Sequence, residues 1–100
     1  MKTTIETSEG KVLVTLEGKL DSIVSEEVGE QFEPLYDVEN TEITLDCTKL
    51  EYIASSGLRL FLGLLKVAKP KGSRVCISGL SNDLRQVFNM TGFTNLFEIL

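Results

Sequence analysis

The sequence predicts an α/β fold, a mixed sheet of four to five strands with helices packed against it. Alternating apolar and polar stretches come as a pair at the start and singly thereafter. Between the single ones lie segments whose apolar residues recur at helical spacing. Clusters of Gly, Pro and Ser mark most junctions. Strands separated by helices require crossover connections, and these build a parallel or mixed sheet. A length of 100 residues with 42% hydrophobic content suits one domain, residues 1–100, with one core.

Taken in order, residues 2–7 and 11–17 read as a hairpin joined through Ser8, Glu9 and Gly10, with Val12, Val14 and Leu16 on one side of the second strand. Gly18 to Asp21 follows as a connector, and Asp21 or Ser22 can accept a backbone N–H at the start of a helix. Val24, Val28, Phe32 and Leu35 form that helix's apolar stripe, which Pro34 ends or kinks. Residues 42–46 (EITLD) are a short strand, after which Leu50, Tyr52 and Ile53 return the chain to the core. A second helix runs to about Lys69 and is stopped by Pro70 and Gly72. Residues 74–78 (RVCIS) have the continuous apolar centre of a strand covered on both faces. Ser81 caps a last helix with Leu84, Val87 and Phe88 inward, Gly92 ends it, and residues 93–100 form a tail with a possible short strand.

The charge balance excludes several functions. Ten Lys and Arg against 15 Asp and Glu give a net charge of -5, so there is no basic field to collect a phosphate backbone and no direct nucleic-acid partner is expected. No apolar run approaches the ~18 residues of a membrane span, and the N-terminus lacks the apolar run of a secretory signal, so a cytoplasmic protein without membrane insertion is expected. With no histidine there is no His-dependent triad and no imidazole metal ligand. Cys47 and Cys76 form no C-x-x-C pair and read as small buried hydrophobes. Neither G-x-x-x-x-G-K-[ST] nor G-x-G-x-x-G occurs, so no cofactor is assigned.

The distinctive stretch is IASSGLRLFLGLLK, residues 53–66. At ~100° per residue, Leu58, Leu60, Phe61, Leu62, Leu64, Leu65, Val67 and Ala68 fill a broad apolar arc, leaving Ser55, Arg59, Gly63 and Lys66 on a narrow strip. So wide an arc needs cover from neighbouring elements or a partner as well as from a sheet. Ser55 or Ser56 suits the N-cap, and the same helix end favours a phosphate. ASSG lacks the G-x-S-x-G spacing of a nucleophile elbow. A serine hydrolase assisted by Lys49, Lys66 or Lys69 has no supporting spacing, so no enzymatic activity is expected. Gly63, on the polar strip, marks either close approach by another backbone or a neutral substitution.

The run LDCTKLEYIASSGLRLFLGLLKVAKPKGSRVCISGLSNDLRQVFNMTGF, together with EGKLD at residues 17–21, resembles the core of a STAS domain of the bacterial anti-sigma factor antagonists, whose pattern here is a strand followed by D/A-S-S/T-G-L. The resemblance covers nearly the whole chain and implies the STAS-domain fold and a binding protein that switches partners. Unphosphorylated, such a protein captures an anti-sigma factor that is also a serine kinase and frees a sigma factor. Phosphorylation releases the kinase, and a serine phosphatase resets the switch. Ser55 matches the phosphorylated serine and Asp21 the acidic residue near it. The partner surface then takes in Asp21, Ser55, Ser56, Gly57, Arg59, Gly63 and Lys66, with Gly57 allowing close approach. Ala54 stands where many members have Asp, and Arg59 where a small residue often follows Gly-Leu. Arg59 can reach back to a phosphate, meet an acidic partner, or remain solvated. The competing class is a constitutive STAS subunit of a lipid-transport ABC complex that binds its ATPase through the same helix.

Overall fold

A computed structural model describes residues 1–100. The chain runs β1 (Lys2–Ser8), β2 (Lys11–Leu20), α1 (Ser25–Phe32), β3 (Glu42–Ile53), α2 (Ser55–Ala68), β4 (Arg74–Ser78), α3 (Asn82–Met90) and β5 (Glu98–Ile99), with 3₁₀ turns at Glu33–Asp37, Lys69–Lys71 and Phe93–Asn95. The sheet order is β1-β2-β3-β4-β5; β1 is antiparallel to β2 and every other pair is parallel. This is the mixed α/β sheet that the sequence predicts.

The β1–β2 hairpin closes through Glu9 and Gly10, where a φ of +73° suits glycine. Val12, Val14 and Leu16 of β2 face the helices beside Ile43, Leu45 and Cys47 of β3 and Val75 and Ile77 of β4, all in one hydrophobic cluster. Phe61 of α2 and Phe88 of α3 are fully buried, their ring centroids 6.2 Å apart, and Phe93 packs edge-on against Phe88 at 5.8 Å. Ser81 accepts the amide of Leu84 at 3.2 Å and so caps α3 as expected. α1 stops at Phe32 and tightens into the 3₁₀ turn that holds Pro34, which keeps Leu35 buried.

Two strands are longer than their patterns suggest. β2 continues through Gly18, Lys19 and Leu20, replacing the expected connector, and β3 runs on past Asp46 to Ile53. Parallel pairing joins these extensions, with Gly18 opposite Leu50 and Leu20 opposite Ile53. β3 takes up an extra residue at two register shifts, between Thr15/Glu17 and between Gly18/Lys19 of its partner. At the first, Asp46 Oδ1 accepts from the Thr48 hydroxyl at 2.6 Å and from the Thr48 amide at 3.0 Å. The bulges also turn Tyr52 outward, half exposed, where a return to the core was expected.

β4 is covered by helices on one face only. Alternation sends Val75 and Ile77 into the core and Cys76 to the opposite face, where its thiol lies 3.5 Å from Glu98 Oε2 and 3.9 Å from Glu42 Oε1. Glu98 also pairs with Arg74, whose Nε is 2.7 Å from Oε2. Both cysteines are free and buried, as expected of small apolar residues. Burial pushes the Cys47 thiol up to about 12, and burial followed by the nearby carboxylates pushes Cys76 up to about 11. A thiol raised above its unfolded value (~8.5) favours the fold below that value and opposes it as pH rises beyond. Ellman's reagent at neutral pH is therefore expected to label neither cysteine until denaturant is added, and the midpoint of thermal unfolding is expected to fall once pH exceeds about 9.

Candidate functional site

The extended ends of β2 and β3 bring two turns together. The amide of Ala54 donates to the carbonyl of Leu20 at 2.9 Å, so the segment leaving β2 lies against the start of α2. In that segment Asp21 Oδ1 accepts the amides of Ile23 and Val24, each at 3.0 Å, which folds Ser22–Val24 into a turn before α1. Asp21 therefore organises the turn before α1 but, contrary to expectation, neither it nor Ser22 caps the helix, whose N-cap is Val24 with no side-chain cap bond.

The N-cap of α2 is Ala54, and no side chain caps the helix. This corrects the reading of Ser55 or Ser56 as the cap: both serines lie inside the first turn. Within α2 itself, Leu58 is the first residue whose amide finds a backbone carbonyl, that of Ala54 at 3.0 Å. The amides of Ser55, Ser56 and Gly57 therefore point out of the helix end with no helical acceptor, the arrangement that favours an anion.

The two serines have different surroundings. Ser25 is buried, its hydroxyl donates to the Asp21 carbonyl at 2.6 Å, and its oxygen lies 3.0 Å from the Ser56 oxygen. Ser25 has one hydroxyl proton and gives it to the carbonyl, so the proton between the two hydroxyls comes from Ser56. Ser56 is thus half-buried and engaged as a donor, pinning α2 to the Asp21 turn, while Ser55 is exposed and its hydroxyl is bound to nothing. Ser25 is the residue that sequence reasoning missed, because a serine two places after Ile23 carries no motif of its own.

The glycines also separate. Gly57 is buried, and a Cβ there would sit 2.8 Å from Leu20 Cγ and 2.9 Å from Ile53 Cγ1. The absence of a side chain at Gly57 lets α2 seat on the ends of β2 and β3, so internal packing accounts for it. At Gly63 a Cβ would meet nothing within 4 Å. Gly63→Ala is accordingly expected to stabilise the fold by about 0.8–1 kcal/mol, the helix-propensity difference, seen as a higher midpoint in urea.

Arg59 and Lys66 are exposed and belong to neither of the chain's two ion pairs, Lys49–Glu17 and Arg74–Glu98. Leu58, Phe61, Leu64, Leu65 and Ala68 of the apolar arc are buried, whereas Leu60, Leu62 and Val67 are half-buried at its rim. α1 covers part of that rim, with Gly29 facing Leu60. Asp21, Ser55, Ser56 and Gly57 thus meet at one end of α2, and Arg59, Gly63 and Lys66 run along the helix away from them. No cluster of His, Cys, Asp or Glu is arranged to hold a metal, and no helix is long and apolar enough to cross a membrane.

The five-stranded mixed sheet with its three helices is the fold of solved anti-sigma factor antagonist and STAS-domain structures. The STAS domain model matches residues 2–100, and the chain belongs to that family. Relatives of this chain in the family include proteins named anti-sigma factor antagonists. The anti-sigma-B factor antagonist of Listeria monocytogenes is 30% identical over 82 residues, 82% of this chain and 72% of that protein. The Bacillus anti-sigma factor antagonist SpoIIAA shares the fold in two solved forms. The unphosphorylated one has a TM-score of 0.77 at 20% identity over 99% of this chain and 87% of that one. The phosphorylated one has a TM-score of 0.77 at 21% identity over 99% and 91%. An anti-sigma factor antagonist domain from Planctomyces limnophilus reaches a TM-score of 0.88 at 13% identity over 98% and 87%.

Proposed function

We propose that this chain, as one STAS domain acting in the cytoplasm, is a partner switch controlled at Ser55. In its unphosphorylated form it binds an anti-sigma factor serine kinase and so releases a sigma factor. Phosphorylation of Ser55 ends that binding, and a serine phosphatase restores it. The observation that carries this reading is the contrast at the head of α2, where Ser55 is exposed and unbonded while Ser56 is engaged with Ser25. A kinase can reach the first hydroxyl without disturbing the fold; reaching the second requires breaking the tie between α2 and the Asp21 turn.

The effect of the phosphate follows from charge. It adds about -1.5 to -2 charges at neutral pH. In the free protein these face the unpaired amides of Ser55, Ser56 and Gly57 and the positive end of α2, and Arg59 lies one helical turn on, so α2 tolerates them. Against a partner, the same charge is desolvated beside Asp21, which adds repulsion. A buried charge without a counter-ion costs several kcal/mol, whereas a hundredfold loss of affinity needs only about 2.7.

Titration calorimetry of the unphosphorylated protein against an anti-sigma factor kinase from the same genome tests the reading, and a saturable complex is expected. Failure to bind any such kinase, with retrieval of a transporter ATPase by affinity capture, would replace the switch with the constitutive subunit of a lipid-transport complex.

A further inference from the structure

From the outward face of α2 and the turn before α1 we infer the form of the partner's docking surface: an acidic helix that crosses α2 at Gly63, beside an apolar socket that receives Ile23. This rests on the partner-binding role proposed for the same site.

Gly63 has no internal reason to be glycine. Apart from its chain neighbours and its own helix backbone, nothing lies within 4 Å of where its Cβ would sit, unlike Gly57, where Leu20 and Ile53 crowd that position. A glycine that weakens its own helix and makes room for nothing in its own chain leaves a notch on the surface. Small residues of this kind let a second helix approach closely.

The flanks of the notch define what enters it. Arg59 and Lys66 lie about one turn to either side of Gly63, roughly 10 Å apart at 1.5 Å per residue. Both are exposed and neither is paired within the chain. The chain as a whole carries -5, and α1 beside them bears Glu26, Glu27 and Glu30. A pair of unmatched cations in such a setting complements carboxylates spaced about two helical turns apart on a partner helix.

Ile23 supplies the apolar element. It is 85% exposed, the most exposed large hydrophobic residue near the site. Its backbone is held by the bond from its amide to Asp21 Oδ1, and Ser25, two residues on, is tied to Ser56. A β-branched side chain has few rotamers to lose when it is buried. Fixed beside the head of α2, it is a preformed peg for a complementary socket.

The test measures binding of the anti-sigma factor kinase to wild type, Ser55→Asp, Ile23→Ser, Gly63→Leu and the double variant Arg59→Glu/Lys66→Glu, with the thermal midpoint of each. Ile23→Ser and Gly63→Leu are expected to weaken binding about tenfold or more without lowering the midpoint. The double variant is expected to slow association about tenfold at low salt and to flatten its dependence on ionic strength. If wild type binds and Ser55→Asp does not, but the other three variants bind within about twofold of wild type, the docking surface is wrong and the switch stands. If wild type does not bind, both are wrong.

Discussion

Ser55→Asp is expected to weaken binding of the anti-sigma factor kinase by at least about a hundredfold, equivalent to about 2.7 kcal/mol, while leaving the thermal midpoint within a degree or so of wild type. The two halves of this result have separate causes. Ser55 is exposed and donates no hydrogen bond within the chain, so its replacement removes nothing from the fold. A carboxylate at the first position of α2 also faces the amides of the first turn, which favours the helix slightly. In a complex, that carboxylate is stripped of water close to Asp21. Ser55→Ala is the control, expected to bind as wild type does, because the loss comes from the added charge. Ser56→Ala is expected to behave differently: it removes the donor to Ser25 and costs about 0.5–1.5 kcal/mol of stability, with binding weakened only so far as the Asp21 turn loosens.

Gly57→Val is expected to destabilise the protein by about 1–3 kcal/mol or more, measured as a lower urea midpoint at unchanged m-value. The first added carbon already lies 2.8 Å from Leu20 and 2.9 Å from Ile53, inside van der Waals contact. Leu20 is fully buried and Ile53 nearly so, and neither has free space into which to retreat. The strain falls where Ala54 pairs with Leu20, so the variant moves the head of α2 away from the Asp21 turn. Gly63→Ala provides the opposite sign on the same helix, which separates crowding at Gly57 from any general effect of replacing a helical glycine.

The fold was legible in the sequence wherever its periodicity was undisturbed. Val12, Val14 and Leu16 alternate through β2 with one face buried, and Val24, Val28 and Phe32 follow the helical repeat. β3 was readable only as far as Leu45. Beyond it the inward residues are Cys47, Leu50 and Ile53, a spacing of three produced by the two register shifts, and a bulged strand with that spacing does not announce itself by alternation. The same cause hid the outward turn of Tyr52. At the site, the resemblance picked out Asp21 and Ser55, and helix geometry gathered Arg59, Gly63 and Lys66 onto one strip. The different situations of Ser55 and Ser56 were not readable from adjacent identical residues; they depend on Ser25, 31 positions away from Ser56. Gly57 and Gly63 likewise look alike in sequence, and only their neighbours in space tell them apart.

The central claim, that Ser55 is the residue at which binding is switched, is tested most directly by incubating the protein–kinase complex with ATP and following phosphate by peptide mass spectrometry and complex by size exclusion in the same samples. Phosphate on Ser55 alone, accumulating in step with loss of the complex, is the expected result. Phosphate on Ser56, no phosphate at all, or a complex that persists after Ser55 is fully modified would contradict it.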